Sequence, residues 1–227
     1  GAVRRGVPAL ASASALIAVA GAVVAFGAVR TSIDRSSAFV STYTYDFRSG
    51  YRGQRCQLGG RQQPQDFDPA CVDAGFGQDG TRSVLIWGDS HAAHLYPGLH
   101  AIQRQERLTL AQFTRDGCEP VAFDEAEPCG RLNVFVADTL PKLQPDVVIL
   151  AAEWGASPQP RLTRTLDAIR RTTQAQVIVV GRVPGWGGGL PEILVGYERD
   201  HPGQALPAYL PDALREDALG RDLQLRR

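Results

Sequence analysis

The stretch from Ser83 to Tyr96 constrains the fold of this chain more than any other. An apolar run, Val84 to Trp87, stops at Gly88, and a helix-compatible segment begins directly after it at Asp89 and Ser90. This order predicts a β-strand, a sharp turn and a helix, with Ser90 at the corner. A hydroxyl in that position projects beyond the carboxyl end of the strand, where free backbone N–H groups can hold negative charge. The stretch therefore predicts that Ser90 is a nucleophile for acyl chemistry.

From residue 83 onward, apolar runs alternate with amphipathic segments. The pattern predicts strands at 83–87, 108–113, 146–152 and 176–181, and helices at 91–107, 131–140 and 160–173. Unbroken apolar strands separated by helices are typical of a parallel sheet covered on both faces. We therefore predict an α/β fold with a three-layer, doubly wound parallel sheet of the flavodoxin type. Ligands of such sheets bind at the carboxyl ends of the strands, where Ser90, Gly117 and Trp154 fall.

The first 30 residues differ from the rest of the chain. No charged residue occurs from Val7 to Val29, and Arg4 and Arg5 precede this run. About 20 apolar residues span the hydrocarbon core of a bilayer as a helix. A secretory signal peptide is the alternative, but its apolar core is usually shorter, at about 7–15 residues. We predict a transmembrane helix over residues 1–30.

Four cysteines lie in two pairs along the chain, Cys56 with Cys71 and Cys118 with Cys129. Each pair flanks a polar loop, so pairing between sequence neighbours is the simplest of the three possible connectivities. Zinc is the rival interpretation, but neither a C-x-x-C spacing nor a nearby histidine supports it. Disulfides indicate an oxidising compartment, which places the chain after residue 30 outside the cytoplasm.

Composition and the chain ends indicate how the remaining regions of the chain are organised. Glycine and proline are dense over residues 31–82, which predicts a linker and a disulfide-stapled loop region before the α/β domain at 83–227. The chain has no methionine and begins with Gly1, and its sheet looks one strand short. These features predict a piece of a longer protein whose α/β domain is incomplete at its C-terminal end. A zero formal net charge gives no indication of a nucleic-acid partner.

The motif around Ser90 resembles a known family. Residues 86–94, Ile-Trp-Gly-Asp-Ser-His-Ala-Ala-His, resemble the first motif block of SGNH-type hydrolases, in the form found in domains fused to acyltransferase-3 membrane proteins. Residues 116–120 and 151–154 are similar to later blocks. The resemblance implies a bacterial inner-membrane protein with an upstream multi-helix acyltransferase domain. It also implies O-acylation, usually O-acetylation, of a cell-envelope glycan acceptor without a cofactor.

The resemblance holds at some of the family's functional positions and fails at others. Ser90 matches the nucleophile, and Gly117 matches the glycine whose N–H adds an oxyanion donor. Glu153 stands where many SGNH enzymes have asparagine and where the fused family often has arginine. The last block, Asp-x-x-His, is absent, because His201 in the sequence Asp200-His201-Pro202 lacks that spacing. We therefore expect this chain to lack its general base and to show little or no turnover.

The remaining candidates have structural alternatives. Asp89 is expected to brace the turn or cap the helix, and His91 to hold the turn. His94 is a candidate for the pocket border. Trp154 is a candidate for stacking on a sugar ring, with core packing as the alternative. We predict no metal site, because His91, His94 and His100 come without a carboxylate ligand.

Two other functions remain open from the sequence. A free-standing carbohydrate acyl esterase would share the nucleophile, and only the membrane helix separates it from a transferase. A non-catalytic module that binds a glycan or a partner protein would tolerate the change Ser90→Ala. The transferase is the interpretation that the membrane segment and the motif favour together.

Overall fold

The structure of the chain is a computed structural model that describes residues 46–121, 123–155, 159–181, 183 and 190–205. The transmembrane helix predicted at 1–30 lies outside the described residues, and so does a helix that the sequence pattern also predicts from about Pro211 to Leu225. In the part that is described, no helix is long and apolar enough to cross a membrane. The sheet and most helices belong to one compact unit that begins at Asp46, and the last described helix belongs to a second unit.

Five parallel strands form a single sheet. They are β1 (Gln57–Leu58), β2 (Arg82–Gly88), β3 (Leu108–Arg115), β4 (Val147–Ala151) and β5 (Gln176–Val180), in the order β1-β3-β2-β4-β5. The predicted parallel α/β sheet is confirmed. Strand β1 was not predicted, because it has only two residues and lies in the Gly- and Pro-rich region. It pairs with the end of β3, so the region before residue 83 contributes an edge of the sheet.

Six α-helices are described. They are α1 (Phe47–Gly50), α2 (Ser90–Ala93), α3 (Tyr96–Ile102), α4 (Pro128–Leu143), α5 (Gln159–Thr172) and α6 (Leu190–Asp200). The single helix predicted over 91–107 is wrong, because it is divided into α2 and α3. Pro97 lies in the first turn of α3, where it is tolerated but cannot continue a preceding helix. Helix α6 was not predicted, because the tail of the chain is rich in proline and glycine.

The side chains of β2 point alternately to the two faces of the sheet, and each face packs against helices. Leu85 and Trp87 face a core that includes Leu132 and Val136 of α4 and Ile169 of α5. The intervening residues of β2 face the other side, where partly buried side chains from 95–99 cover them. The helices on these two faces are the outer layers expected for a three-layer α/β domain.

The chain reverses its winding direction at β2. Strands β3 and β4 lie on opposite sides of β2, and Gly88 at its end is in register with Thr114 of β3 and Ala151 of β4. The loops after β2 and β4 therefore meet at the carboxyl edge, at the switch point where doubly wound sheets bind their ligands.

Candidate active site

Gly88 creates the turn that brings Ser90 to this edge. Its φ is 151°, and a Cβ at this position would lie 1.8 Å from the carbonyl oxygen of Ala151. No side chain fits there, because real Cβ atoms do not approach an oxygen so closely. The close approach of β2 and β4 at Gly88 therefore depends on glycine and sets the direction in which the chain leaves the strand.

Asp89 connects the two loops at the switch point. It is 2% exposed and is the N-cap of α2, where Oδ1 accepts a hydrogen bond from the backbone N–H of His91 at 2.7 Å. Its other oxygen, Oδ2, accepts a hydrogen bond from the backbone N–H of Glu153 at 2.8 Å. The capping role expected for Asp89 is confirmed, and both carboxylate oxygens are engaged in holding backbone.

Ser90 begins α2 and borders an open cavity of about 530 Å³. The cavity is lined by Arg48, Tyr51, Gly53, Gln54, Gln57, Gly59, Ser90 and Asp116. The side chain of Ser90 is half-buried, and its hydroxyl makes no hydrogen bond with any residue that the structure describes. A hydroxyl at the border of a polar cavity can meet a substrate without first breaking an internal hydrogen bond.

Gly117 follows β3, the strand next to β2, in a left-handed conformation with φ of 65°. Neither its backbone N–H nor that of Ser90 donates a hydrogen bond to a described residue. Two unengaged N–H groups at neighbouring strand ends are suitable donors to an oxyanion. The position of Gly117 is therefore compatible with the donor role that the sequence suggested.

Both disulfides predicted from the sequence are present. Cys56 is bonded to Cys71 with a Cα–Cα distance of 5.4 Å, and Cys118 to Cys129 with a distance of 5.1 Å. The first bond lies beside Gln57 in the cavity wall. The second begins at the residue directly after Gly117 and ties that loop to the start of α4. Each disulfide thus stabilises a loop that shapes the carboxyl edge.

The two histidines that follow Ser90 lie outside the cavity lining. His91 Nδ1 is 3.3 Å from Asp89 Oδ1, in agreement with its expected role in holding the turn. His94 is the C-cap of α2, and burial, reinforced by the nearby His91, lowers its pKa below the usual 6.5. His94 is not among the residues that line this cavity, and its place at the border of a pocket stays a prediction.

Trp154 belongs to the core. It is 1% exposed, and its indole N–H donates a hydrogen bond to the carbonyl oxygen of Val180 at 2.7 Å. That bond joins the loop after β4 to the end of β5. A sugar ring cannot stack on a side chain so buried, so the cleft-lining role suggested for Trp154 is wrong and its packing alternative is correct.

Sequence reasoning missed two polar residues that line the cavity. Gln57 of β1 and Asp116 after β3 are joined by a hydrogen bond from Gln57 Nε2 to Asp116 Oδ1 at 2.6 Å. The position of Asp116 between β3 and Gly117 was a signal in the sequence, since strand-end polar residues converge at this edge. Gln57 gave no such signal, because its strand was not predicted.

Comparison with known proteins identifies the family. A family model for SGNH domains fused to AT3 domains matches residues 55–219. The chain belongs to this SGNH family. Its fold is also similar to the periplasmic domain of a lipopolysaccharide acetyltransferase from Salmonella ser. Paratyphi A, with 22% sequence identity and a TM-score of 0.64. That similarity covers 82% of this chain and 76% of the Salmonella chain. No curated protein sequence matches the chain.

Membership of this family agrees with the resemblance drawn from residues 86–94. The matched region begins before β1, so the SGNH domain includes the first disulfide and the cavity wall around Gln57. At 22% identity, the Salmonella structure supports the fold of the SGNH domain, and the chemistry must be argued from the site.

Proposed function

We propose that this SGNH domain is the extracytoplasmic part of a membrane O-acyltransferase, which transfers an acyl group, in particular acetyl, to a hydroxyl of a cell-envelope glycan. The observation that carries the proposal is the position of Ser90. Its unengaged hydroxyl borders a polar cavity, and the unengaged N–H groups of Ser90 and Gly117 follow the neighbouring strands β2 and β3. This arrangement suits a nucleophile whose attack generates an oxyanion.

The proposed reaction has two steps. A base removes the proton of the Ser90 hydroxyl, whose oxygen attacks the acyl carbonyl carbon, and the donor leaving group departs with a proton. A glycan hydroxyl then attacks the acyl-enzyme, the ester bond to Ser90 breaks, and Ser90 regains its proton. The N–H groups of Ser90 and Gly117 would stabilise the oxyanion in both steps. One such donor typically lowers the activation barrier by about 3 kcal/mol.

Family and chemistry support a membrane partner and a glycan acceptor. The matching family consists of SGNH domains fused to AT3 domains, which favours an upstream multi-helix membrane domain as the source of the acyl group. The structurally similar Salmonella protein is a lipopolysaccharide acetyltransferase whose SGNH-like domain is periplasmic. The two disulfides favour the same oxidising side of the membrane.

The proposed nucleophile needs a general base. A serine hydroxyl is a weak nucleophile until a neighbouring group accepts its proton. No histidine or carboxylate in the described ranges forms a hydrogen bond with the Ser90 hydroxyl. We infer that the 227-residue chain alone acylates slowly and turns over little.

Replacement of Ser90 in the protein expressed from its complete gene tests the proposal. We expect Ser90→Ala to abolish ester-linked acyl groups on the purified envelope glycan, measured as acetate released by mild alkali. The matched control is Ser49→Ala, because Ser49 is exposed and does not line the cavity. Unchanged acylation in Ser90→Ala would contradict the proposal and favour a binding module. Increased acylation would contradict it in favour of an esterase.

A further inference from the structure

We propose that Gln57 and Asp116 form the acceptor subsite of the Ser90 cavity, and that this subsite takes a neutral sugar unit through two neighbouring hydroxyls. This inference deepens the proposed function and rests on it, since it assigns the glycan to one wall of the cavity. Ser90 lines the same cavity as Gln57 and Asp116. A sugar bound to these two residues could therefore present another of its hydroxyls to the acyl group on Ser90.

The backbone brings the pair together. Gln57 lies in β1 and is in register with Thr114 of β3, and Asp116 lies two residues after Thr114, directly after the end of β3. The hydrogen bond of 2.6 Å from Gln57 Nε2 orients the carboxylate through its Oδ1. Asp116 Oδ2 accepts no hydrogen bond from a described residue, and Asp116 is exposed. One carboxylate oxygen is therefore held in place while the other remains available to a ligand.

Gln57 lines the cavity, and its second polar atom, Oε1, is buried. The residue is 6% exposed, and among the described residues none donates a hydrogen bond to its Oε1. A buried acceptor without a partner is unfavourable. A ligand hydroxyl beside the one bound to Asp116 would supply the missing donor while the hydrogen bond from Nε2 to Asp116 is kept.

The charges of the lining favour a neutral ligand. Among the described residues that line the cavity, Arg48 and Asp116 are the two that carry a charge, and their charges are opposite. A phosphate or carboxylate ligand would be attracted by one and repelled by the other. Hydroxyl groups donate to amide and carboxylate oxygens and accept from guanidinium groups, so they suit the whole lining. The cavity volume of about 530 Å³ is within the usual range of small-molecule sites, about 300–1,000 Å³.

The wall is held rigid before any ligand binds. Arg115 is buried, and its guanidinium donates hydrogen bonds to the carbonyl oxygens of Gly60, at 2.7 Å, and Gln62. The backbone N–H of Gly59 donates to Gln62 Oε1 at 2.9 Å. The disulfide at Cys56 fixes the residue next to Gln57. Because these contacts order the loop in advance, little conformational freedom is lost when a sugar binds.

Sugar binding to the whole chain tests the subsite without requiring turnover. Saturation-transfer NMR would use the chain in a detergent without a sugar headgroup, with methyl α-D-gluco-, galacto- and mannopyranoside as probes. We expect at least one pyranoside to give a saturable signal and its fully O-methylated derivative to give none. Asp116→Ala and Gln57→Leu should weaken binding at least tenfold.

Two controls separate this inference from the proposed function. Asp79→Ala removes an exposed carboxylate near the amino-terminal edge of the sheet and should bind sugar like the parent chain. Ser90→Ala should also retain binding, although it abolishes acyl transfer. Absence of binding to every pyranoside, or parental binding by a folded Asp116→Ala variant, would overturn the subsite and leave the role of Ser90 intact.

Discussion

Asp89 and Glu153, 64 residues apart in sequence, are joined across the switch point of the sheet by a hydrogen bond of 2.8 Å from the Glu153 backbone N–H to Asp89 Oδ2. The same carboxylate caps α2 through its other oxygen. A single buried side chain thus ties the Ser90 corner to the end of β4. Because both of its oxygens hold backbone N–H groups, this carboxylate positions the corner that carries Ser90, the proposed nucleophile.

We predict that Asp89→Ala destabilises the domain by about 2–4 kcal/mol, because it removes an N-cap and a charge-assisted hydrogen bond. Asp89→Asn should cost less, since the amide oxygen can still accept one of the two bonds. Urea unfolding followed by circular dichroism measures both. Asp79→Ala is the matched control, because Asp79 is exposed. Equal unfolding midpoints for Asp89→Ala and the parent would contradict this role.

Gly88 supports a second prediction about the same corner. Gly88→Ala should cost more than about 4 kcal/mol or prevent folding, since a Cβ would overlap the carbonyl oxygen of Ala151, which is backbone and cannot move aside. The control is Gly98→Ala in α3, where no atom lies within 4 Å of the added Cβ. That change should stabilise the helix by about 0.5–1 kcal/mol. Similar thermal stability of the two variants would be incompatible with the turn geometry.

The sequence was sufficient to predict the central strands and the Ser90 corner, but not the cavity around them. Apolar runs such as 84–87 and 147–151 are long enough to indicate buried parallel strands by composition alone. Strand β1 has two residues, and its position depends on pairing with β3. Gln57 therefore became recognisable as a wall residue only once the register of the sheet was known.

Side-chain burial was equally difficult to predict at strand ends. Trp154 was compatible with a sugar cleft and with the core, and the choice depended on β5, whose Val180 carbonyl accepts the indole hydrogen bond. Asp89 was predictable because capping is a local property of the turn. The contact between Asp89 and Glu153 was not, because it joins two loops that only the tertiary fold brings together.

No histidine or carboxylate in the described ranges is hydrogen-bonded to the Ser90 hydroxyl, and we predict slow turnover by this chain from that arrangement. With p-nitrophenyl acetate, we expect slow acetylation of Ser90 and a steady-state rate close to that of Ser90→Ala. Intact-protein mass spectrometry and p-nitrophenol release measure the two quantities. Rapid hydrolysis that depends on Ser90 would show that another group of this chain serves as the base.

The disulfide between Cys118 and Cys129 should affect acyl transfer as well as stability. Its loss in Cys118→Ala/Cys129→Ala should cost about 2–5 kcal/mol and free the loop that carries the Gly117 N–H. We therefore expect slower acetylation of Ser90 in this variant at a temperature where it remains folded. Cys56→Ala/Cys71→Ala is a comparison for the loss of a disulfide elsewhere in the cavity wall, because that bond adjoins Gln57 and not Gly117. Equal acetylation rates in the parent chain and in Cys118→Ala/Cys129→Ala would contradict a role for Gly117.

The lowered pKa of His94 predicts how the stability of the domain depends on pH. Burial, with a further contribution from the nearby His91, lowers the His94 pKa in the folded chain, and Asp89 only partly opposes this effect. The unfolded chain therefore binds a proton at His94 more readily than the folded chain does. Stability from this residue is full above pH 6.5 and is lost as the pH falls toward the lowered pKa. Urea unfolding between pH 7.5 and 5 should show a decrease that His94→Gln reduces and His100→Gln leaves unchanged. An NMR titration that places the His94 pKa above 6.5 would reverse the sign and contradict the prediction.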